Sequence, residues 1–219
     1  MVGFAVTAIE TTGFLPEAGD RIVELAVVHV DPAGDVELWW DTLVNPGCGV
    51  GPRSIHGLCD ADVAGAPRFG EVAGHVAGLL GGRVFTAHNP ALDRRFLMAE
   101  FDLAAWGVPL ESAVTLSTMA ESRAMWPGAP RRLSALCQMR GFAIHGGRTA
   151  IGNALAVVQI VRHLLTAASA RSRGVTSLPW DSRLEEAARH RWPNAPAAHY
   201  PRTSRSDHLT VDLPVLAAG

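Results

Sequence analysis

Lysine is absent from this sequence. All nineteen basic side chains among its 219 residues are arginines. The absence excludes any mechanism that depends on a lysine nucleophile or a Schiff base. Against 21 acidic residues the formal net charge is −2, and the pI is about 6.5. A charge balance this close to zero excludes an overall basic field that would attract nucleic acid or an anionic membrane.

Cysteine is also scarce. Cys48, Cys59 and Cys137 are too few and too scattered for a disulfide framework or a zinc site, and we expect reduced thiols in a cytoplasmic protein. The first residues lack the basic region of a signal peptide, and Glu10 interrupts the apolar run that follows. No run approaches the ~20 apolar residues that a membrane-spanning helix needs. We therefore expect no membrane partner.

The hydrophobic content is sufficient for a packed core. Hydrophobic residues make up 48% of the chain and charged residues 18%, with a mean hydropathy of +0.15. This composition excludes wholesale disorder. The length suits one domain with an extension.

Short apolar runs separated by turn residues predict three consecutive strands. The first run, 4–9, is followed by Gly13, and the second and third cover 21–31 and 36–44. Because the turn signal Asp31–Gly34 joins the second run to the third, these two strands are predicted to pair antiparallel.

Helices and strands alternate in the next part of the chain. The apolar spacing predicts helices at 69–80, 91–101, 133–139 and 150–165, and strands at 83–87 and 114–116. Three strands followed by this alternation predict an α/β domain with a mixed central sheet flanked by helices.

The composition changes near Thr166. Residues 1–166 hold 12 Arg and 16 acidic residues, whereas residues 167–219 hold 7 Arg and 5 acidic residues. We predict a domain over 1–166 and an irregular extension with one short helix at about 182–191, which the capping box Ser182–Glu185 begins. The extension either lies on the domain surface or serves as a basic arm for nucleic acid or a protein partner.

Four segments carry the chemistry. They are Ala8–Gly13 at a strand end, Ile55–Gly57, His88–Phe96, and Arg148–Ala154 at the start of the last core helix. In this order and spacing they resemble the DnaQ-like 3′–5′ exonucleases, the DEDDh type within the RNase H-like superfamily. The resemblance covers residues 4 to about 165 and implies an RNase H-like exonuclease fold.

The family hydrolyses phosphodiesters with two metal ions held by carboxylates and with a histidine general base. Its pattern is Asp and Glu two residues apart on the first strand, Asp on a middle helix, and His followed five residues later by Asp. By resemblance, Glu10 and Asp93 stand at retained carboxylate positions. Ala8 and Asn153 stand where the other two carboxylates would be, and Arg148 stands at the position of the base.

Each replacement removes a function. Ala8 offers no ligand atom, Asn153 offers an uncharged carbonyl oxygen, and the guanidinium of Arg148 cannot act as a base. Loss of a general base alone typically costs ~10²–10⁴-fold in rate. The leading prediction is therefore a pseudo-exonuclease that needs no cofactor and binds a single-stranded nucleic-acid 3′ end or a nucleotide.

Two alternatives stay open. One is a residual metal-dependent exonuclease that uses Glu10 and Asp93 with Mg²⁺ or Mn²⁺. The other is a protein-interaction module that uses the groove or the extension and binds no nucleic acid. His145 is a poor substitute base, because no acidic residue follows it at the family spacing.

Arg148 allows a sharper hypothesis. Its guanidinium can take the place of the metals by forming a salt bridge to Glu10 or Asp93. The competing interpretation is that the side chain points to solvent.

The resemblance also implies nucleotide-binding residues. Thr11, Thr12 and Gly13 match the turn that cradles the terminal nucleotide in the family, and Ile55 and His56 match its base- and phosphate-contacting pair. The same residues are compatible with a purely structural need, such as a glycine for the turn and an isoleucine for packing.

Overall fold

A five-stranded mixed sheet forms the centre of the protein. The computed structural model describes residues 3–171, 180–189, 192 and 204. The strands lie in the order β3-β2-β1-β4-β5; β1 to β3 pair antiparallel, and β4 and β5 join them parallel to β1. They are β1 (Phe4–Thr11), β2 (Ile22–Val30), β3 (Val36–Leu43), β4 (Val84–Ala87) and β5 (Thr115–Ser117). The predicted mixed sheet is confirmed.

Eight α-helices and one short 3-10 helix (Pro16–Ala18) surround this sheet in the part of the chain that the structure describes. The α-helices are α1 (Arg53–His56), α2 (Asp60–Val63), α3 (Phe69–Leu80), α4 (Pro90–Leu103), α5 (Thr118–Met125), α6 (Leu133–Arg140), α7 (Ala150–Arg171) and α8 (Asp181–Arg189). The four core helices predicted from apolar spacing are confirmed as α3, α4, α6 and α7. The sequence did not predict α1, α2 and α5, because two turns or fewer leave little periodic signal.

The sheet separates two apolar layers. Since successive side chains of a strand point to opposite faces, Val6 and Ala8 of β1 pack towards α7, whereas Ala5 packs towards α3 and α4. The same alternation places Glu10 on the α7 face. The end of β1 and the start of α7 are thereby brought together.

Buried polar contacts fix the start of α7. The carboxylate of Glu24, 1% exposed, accepts a hydrogen bond from the Ala150 amide at 3.0 Å, and the Thr149 hydroxyl accepts one from the Gly152 amide at 3.0 Å. A negative group at a helix N-terminus is stabilising. A side chain at Gly152 would collide with the His145 carbonyl oxygen, so the loop before α7 passes close over its first turn.

α7 is the core helix of the fold. It runs to Arg171 and so continues past the predicted domain boundary at 166. Contrary to the expectation that no run approaches membrane-spanning length, the stretch Ala150–Ala168 within the described residues is long and apolar enough to cross a membrane, and 67% of it is buried inside the protein. Burial of this kind is typical of a helix that packs on a sheet.

The described parts of the extension pack on the domain. The predicted helix at 182–191 is observed as α8, and positions 190 and 191 lie outside the described residues. Trp180 and Ala187 are buried against the α7 layer. The Ser204 hydroxyl donates to the carboxylate of Asp41, a fully buried residue of β3.

Candidate active site

The five positions that the resemblance assigns to the active site of the family lie around one cleft. Ala8 and Glu10 come from β1, and Asp93 comes from α4. Arg148 lies in the loop just before α7, and Asn153 lies in the first turn of α7. The cleft has a volume of about 470 Å³. The tertiary structure therefore brings together residues that are as far apart as 145 positions in the chain.

Asn153 is paired with Glu10. Its Nδ2 donates to Glu10 Oε1 at 2.9 Å, so its amide group, rather than its carbonyl oxygen, faces the carboxylate. An aspartate at this place would set two negative charges against each other and would need a cation between them. The asparagine amide satisfies the Glu10 carboxylate through a hydrogen bond instead.

Asp93 is buried at the bottom of this cleft. It is 8% exposed, and burial raises its pKa to about 8, with a further upward contribution from the nearby charge of Glu10. A hydrogen bond from its own backbone amide opposes this shift. Asp93 is therefore largely protonated at neutral pH, where an ordinary aspartate is ionised.

We expect Asp93 to make stability depend on pH. Because its pKa of about 8 in the folded protein lies above the ordinary 3.8, folding becomes less favourable as pH rises between these values. The variant Asp93→Asn removes this titration. It should match the parent near pH 4 and be more stable by on the order of a few kcal/mol at pH 8 and above.

Urea denaturation from pH 4 to 9 measures this difference. Asp102→Asn is the matched control, because Asp102 is exposed on the same helix. A difference between Asp93→Asn and the parent that does not change with pH would contradict the assignment.

Arg148 lies at the rim of the cleft. Its exposed side chain donates to the Ser54 carbonyl and so connects the start of α7 to α1. Asp93 forms no ion pair with any described residue, so the hypothesis of an Arg148–Asp93 salt bridge is wrong. The physical reason is that the Arg148 guanidinium donates to the Ser54 carbonyl instead, and that burial raises the pKa of Asp93 and so disfavours its charged form. A salt bridge to Glu10 stays a prediction.

His56 does not face the cleft, contrary to the contact implied by resemblance. It is fully buried: the Leu58 amide donates to its Nδ1 at 3.1 Å, and its Nε2 donates to the Val50 carbonyl at 2.9 Å. Both ring nitrogens therefore hold the loop around α1 together. Its neighbour Ile55 is 39% exposed and does line the cleft.

Thr11, Thr12 and Gly13 form the turn after β1 and lie beside the cleft lining. The Thr11 hydroxyl donates to the Gly13 carbonyl at 2.6 Å, and the Thr12 hydroxyl donates to the Asp20 carboxylate at 3.2 Å. The Thr12 amide also donates to the Arg21 carbonyl at 2.9 Å. A side chain at Gly13 would collide with the Asp20 carboxylate. These contacts build the turn, and nucleotide contacts by its residues stay a prediction.

Two further arginines, Arg131 and Arg132, line the cleft, although the sequence does not mark them as site residues. His88 holds their backbone in place: its Nε2 donates to the Arg131 carbonyl at 2.8 Å, and its Nδ1 accepts from the Thr118 hydroxyl at 3.1 Å. Burial lowers the pKa of His88, which favours this neutral ring. The available signal is the position of this arginine pair immediately before the helix predicted at 133–139.

The residues present do not fit a two-metal centre. Ala8 supplies no oxygen, and the amide of Asn153 is turned towards Glu10. Among the described residues, no group of three or more His, Cys, Asp or Glu side chains is placed to hold a metal ion. The chemistry of the cleft therefore rests on the carboxyl groups of Glu10 and Asp93 and on the arginines.

Known proteins with similar sequences include subunits of DNA polymerase III. The exonuclease family model RNase T matches residues 9–160. The DNA polymerase III subunit epsilon-like protein of Rhodobacter capsulatus is 33% identical over 77% of this chain, which spans only 24% of that relative. The DNA polymerase III subunit epsilon of Treponema pallidum is 31% identical over 73% of this chain and 74% of the relative.

Solved structures agree on the fold. Exonuclease X in complex with 5′ overhanging duplex DNA is 25% identical, with a TM-score of 0.59 over 76% of this chain and 93% of that chain. Escherichia coli exonuclease I in complex with a dT13 oligonucleotide is 15% identical, with a TM-score of 0.68 over 78% of this chain and 42% of that chain. The expected RNase H-like exonuclease fold is confirmed.

Proposed function

The chain belongs to the exonuclease family that includes the DnaQ-like epsilon subunits, and from this premise we propose that it is a catalytically degenerate 3′–5′ exonuclease homologue. It binds a single-stranded nucleic-acid 3′ end or a nucleotide in the cleft and lacks the two-metal centre. The hydrogen bond from Asn153 to Glu10 carries this proposal. Through this hydrogen bond, an uncharged amide donor contacts the carboxylate that metal binding would require.

The three replaced positions act together in this proposal. Ala8 removes an anionic ligand, Asn153 removes a second, and Arg148 places a permanent cation where the family has a base. Lost ligands and a lost base each lower the rate, although such effects do not simply multiply. Restoring a single group would therefore not restore hydrolysis.

The ligand class is taken from the relatives. Exonuclease X and E. coli exonuclease I were solved with DNA, the latter with a single-stranded oligonucleotide. The epsilon relatives are named as subunits of DNA polymerase III, which makes a replication protein a candidate partner of this chain. We place the nucleic-acid ligand in the cleft, because Ile55 and the family positions line it.

Two measurements on the unmodified protein test the function. We expect a 5′-labelled single-stranded oligonucleotide to bind at low salt, where phosphate contacts are strongest, as followed by fluorescence anisotropy. We expect no shortening of the same strand in Mg²⁺ or in Mn²⁺ on a denaturing gel. Absence of binding would instead favour a protein-interaction module.

Residual exonuclease activity is the second candidate function, because Glu10 and Asp93 both line the cleft. This activity would be established if the strand is shortened in Mn²⁺ and Glu10→Ala abolishes the shortening. Glu111→Ala, at an exposed position outside the cleft, should then leave the shortening unchanged. That result would end the proposal of a degenerate site.

A further inference from the structure

The cleft carries more positive than negative groups. Three arginines line it, Arg131, Arg132 and Arg148, against the two carboxyl groups of Glu10 and Asp93. The formal charge of the lining is therefore positive even when both carboxyl groups are counted as ionised. This local charge is opposite in sign to the net charge of −2 of the whole chain.

Two of these guanidinium groups are unpaired among the described residues. Six other arginines form ion pairs with carboxylates, whereas Arg131 and Arg132 form neither an ion pair nor a side-chain hydrogen bond there. Their backbone is held by the 2.8 Å hydrogen bond from His88 to the Arg131 carbonyl. The fold thus places two available cations at the cleft on an anchored segment.

A phosphate group is the ligand that this arrangement suits. Guanidinium groups bind phosphate oxygens through charged, often bidentate hydrogen bonds. A terminal phosphate monoester carries about −1.5 to −2 charge at pH 7, more than the single charge of an internal phosphodiester. The cleft volume of about 470 Å³ lies within the range of ordinary small-molecule sites.

We propose that Arg131 and Arg132 form a metal-independent subsite for a nucleoside phosphate monoester, with a strand that ends in a 3′-phosphate as the ligand. This inference rests on the proposed function, since it places a nucleic-acid 3′ end in the cleft. The arginines then neutralise the terminal phosphate. Metal ions do not take this role here, because Ala8 and Asn153 supply no anionic metal ligands. Arg148 also lines the cleft and adds positive charge to it.

The test compares two strands that differ only at the 3′ end. A 5′-fluorescein-labelled decathymidylate with a 3′-phosphate and the same strand with a 3′-hydroxyl are titrated with the full chain in EDTA and in Mg²⁺. We expect the 3′-phosphate strand to bind about tenfold more tightly, the size of one charge-assisted hydrogen bond. The preference should be the same in EDTA and in Mg²⁺.

The double variant Arg131→Gln/Arg132→Gln should reduce this preference to less than about twofold. It should fold, because both side chains are exposed, and circular dichroism checks this. Arg123→Gln is the matched control: Arg123 is exposed on α5, outside the cleft, and the preference should be retained.

The outcomes separate the two proposals. Equal binding of the two strands, a preference that survives the double variant, or a preference that requires Mg²⁺ would each overturn the subsite while leaving the proposed function intact. Failure of both strands to bind would overturn the proposed function itself. Displacement of the strand by thymidine 3′-monophosphate at a comparable concentration would support the subsite and assign it to free nucleotides; displacement only at a large excess would assign it to strand ends.

Discussion

The triple variant Ala8→Asp/Arg148→His/Asn153→Asp is expected to shorten a 5′-labelled single-stranded oligonucleotide in Mg²⁺. We expect its rate to exceed that of the unmodified chain by at least the ~10²–10⁴-fold that a general base contributes. All three positions line the same cleft as Glu10 and Asp93, so the new groups face the retained carboxyl groups. The measurement is a time course on a denaturing gel.

The double variant Ala8→Asp/Asn153→Asp, which keeps Arg148, separates the base from the metal ligands. It should remain slower than the triple variant, because a guanidinium cannot accept a proton at neutral pH. Adding Glu10→Ala to the triple variant should abolish the activity. Our interpretation would be contradicted if the triple variant is folded and binds the strand but is still inert. The cleft geometry itself would then have diverged.

The triple variant has a second readout that does not involve turnover. Asn153→Asp removes the hydrogen bond to Glu10 and adds a negative charge beside it. The metal-free variant should therefore melt at a lower temperature than the unmodified chain. Because a ligand that binds only the folded state stabilises it, Mg²⁺ should raise the melting temperature of the variant and leave that of the unmodified chain unchanged.

Glu100→Ala is expected to destabilise the fold by about 3–5 kcal/mol, the usual effect of removing one partner of a buried ion pair. Glu100 is 2% exposed on α4 and accepts hydrogen bonds from Arg21 Nε at 2.9 Å and Nη2 at 2.6 Å. It also accepts one from the Ile22 amide at 3.1 Å. Its loss leaves the half-buried Arg21 guanidinium and a buried amide without this partner.

Urea denaturation measures the effect of Glu100→Ala, and Glu17→Ala provides the matched control. Glu17 also pairs with an arginine, Arg95, but both side chains are exposed. Exposed pairs contribute little, so the control should leave the urea midpoint nearly unchanged. Equal shifts in the two variants would show that burial does not determine the strength of these pairs.

The secondary structure could be predicted wherever the pattern of apolar residues is local and periodic. The short apolar runs of β1 and β2 reflect strands that are buried on both faces, and the helical spacing in α3 and α7 reflects one buried face of each helix. Short helices such as α1 carry no such pattern, and α7 continues past the change in composition at 166. The change in composition at 166 therefore does not coincide with the end of a helix, and the predicted division into domain and extension stays a prediction.

The residues of the candidate site could be named from the sequence because family motifs fix their identities and order. Their environments could not. Burial raises the pKa of Asp93, and buried hydrogen bonds turn His56 away from the cleft. The burial of Asp93 depends on atoms that are distant in the chain, and the hydrogen bonds of His56 depend on how its loop folds. No local sequence pattern encodes either effect.

The sequence by itself determined the mixed α/β fold, since this depends on residue type and short-range spacing, and by resemblance it predicts the loss of two carboxylates and a base. Only the tertiary structure decided what replaces them. The amide of Asn153 meets Glu10 across 143 positions of chain, and the loop with Arg131 and Arg132 reaches the cleft through His88. Such contacts arise when the sheet and helices pack, because packing, rather than local preference, sets which distant side chains meet.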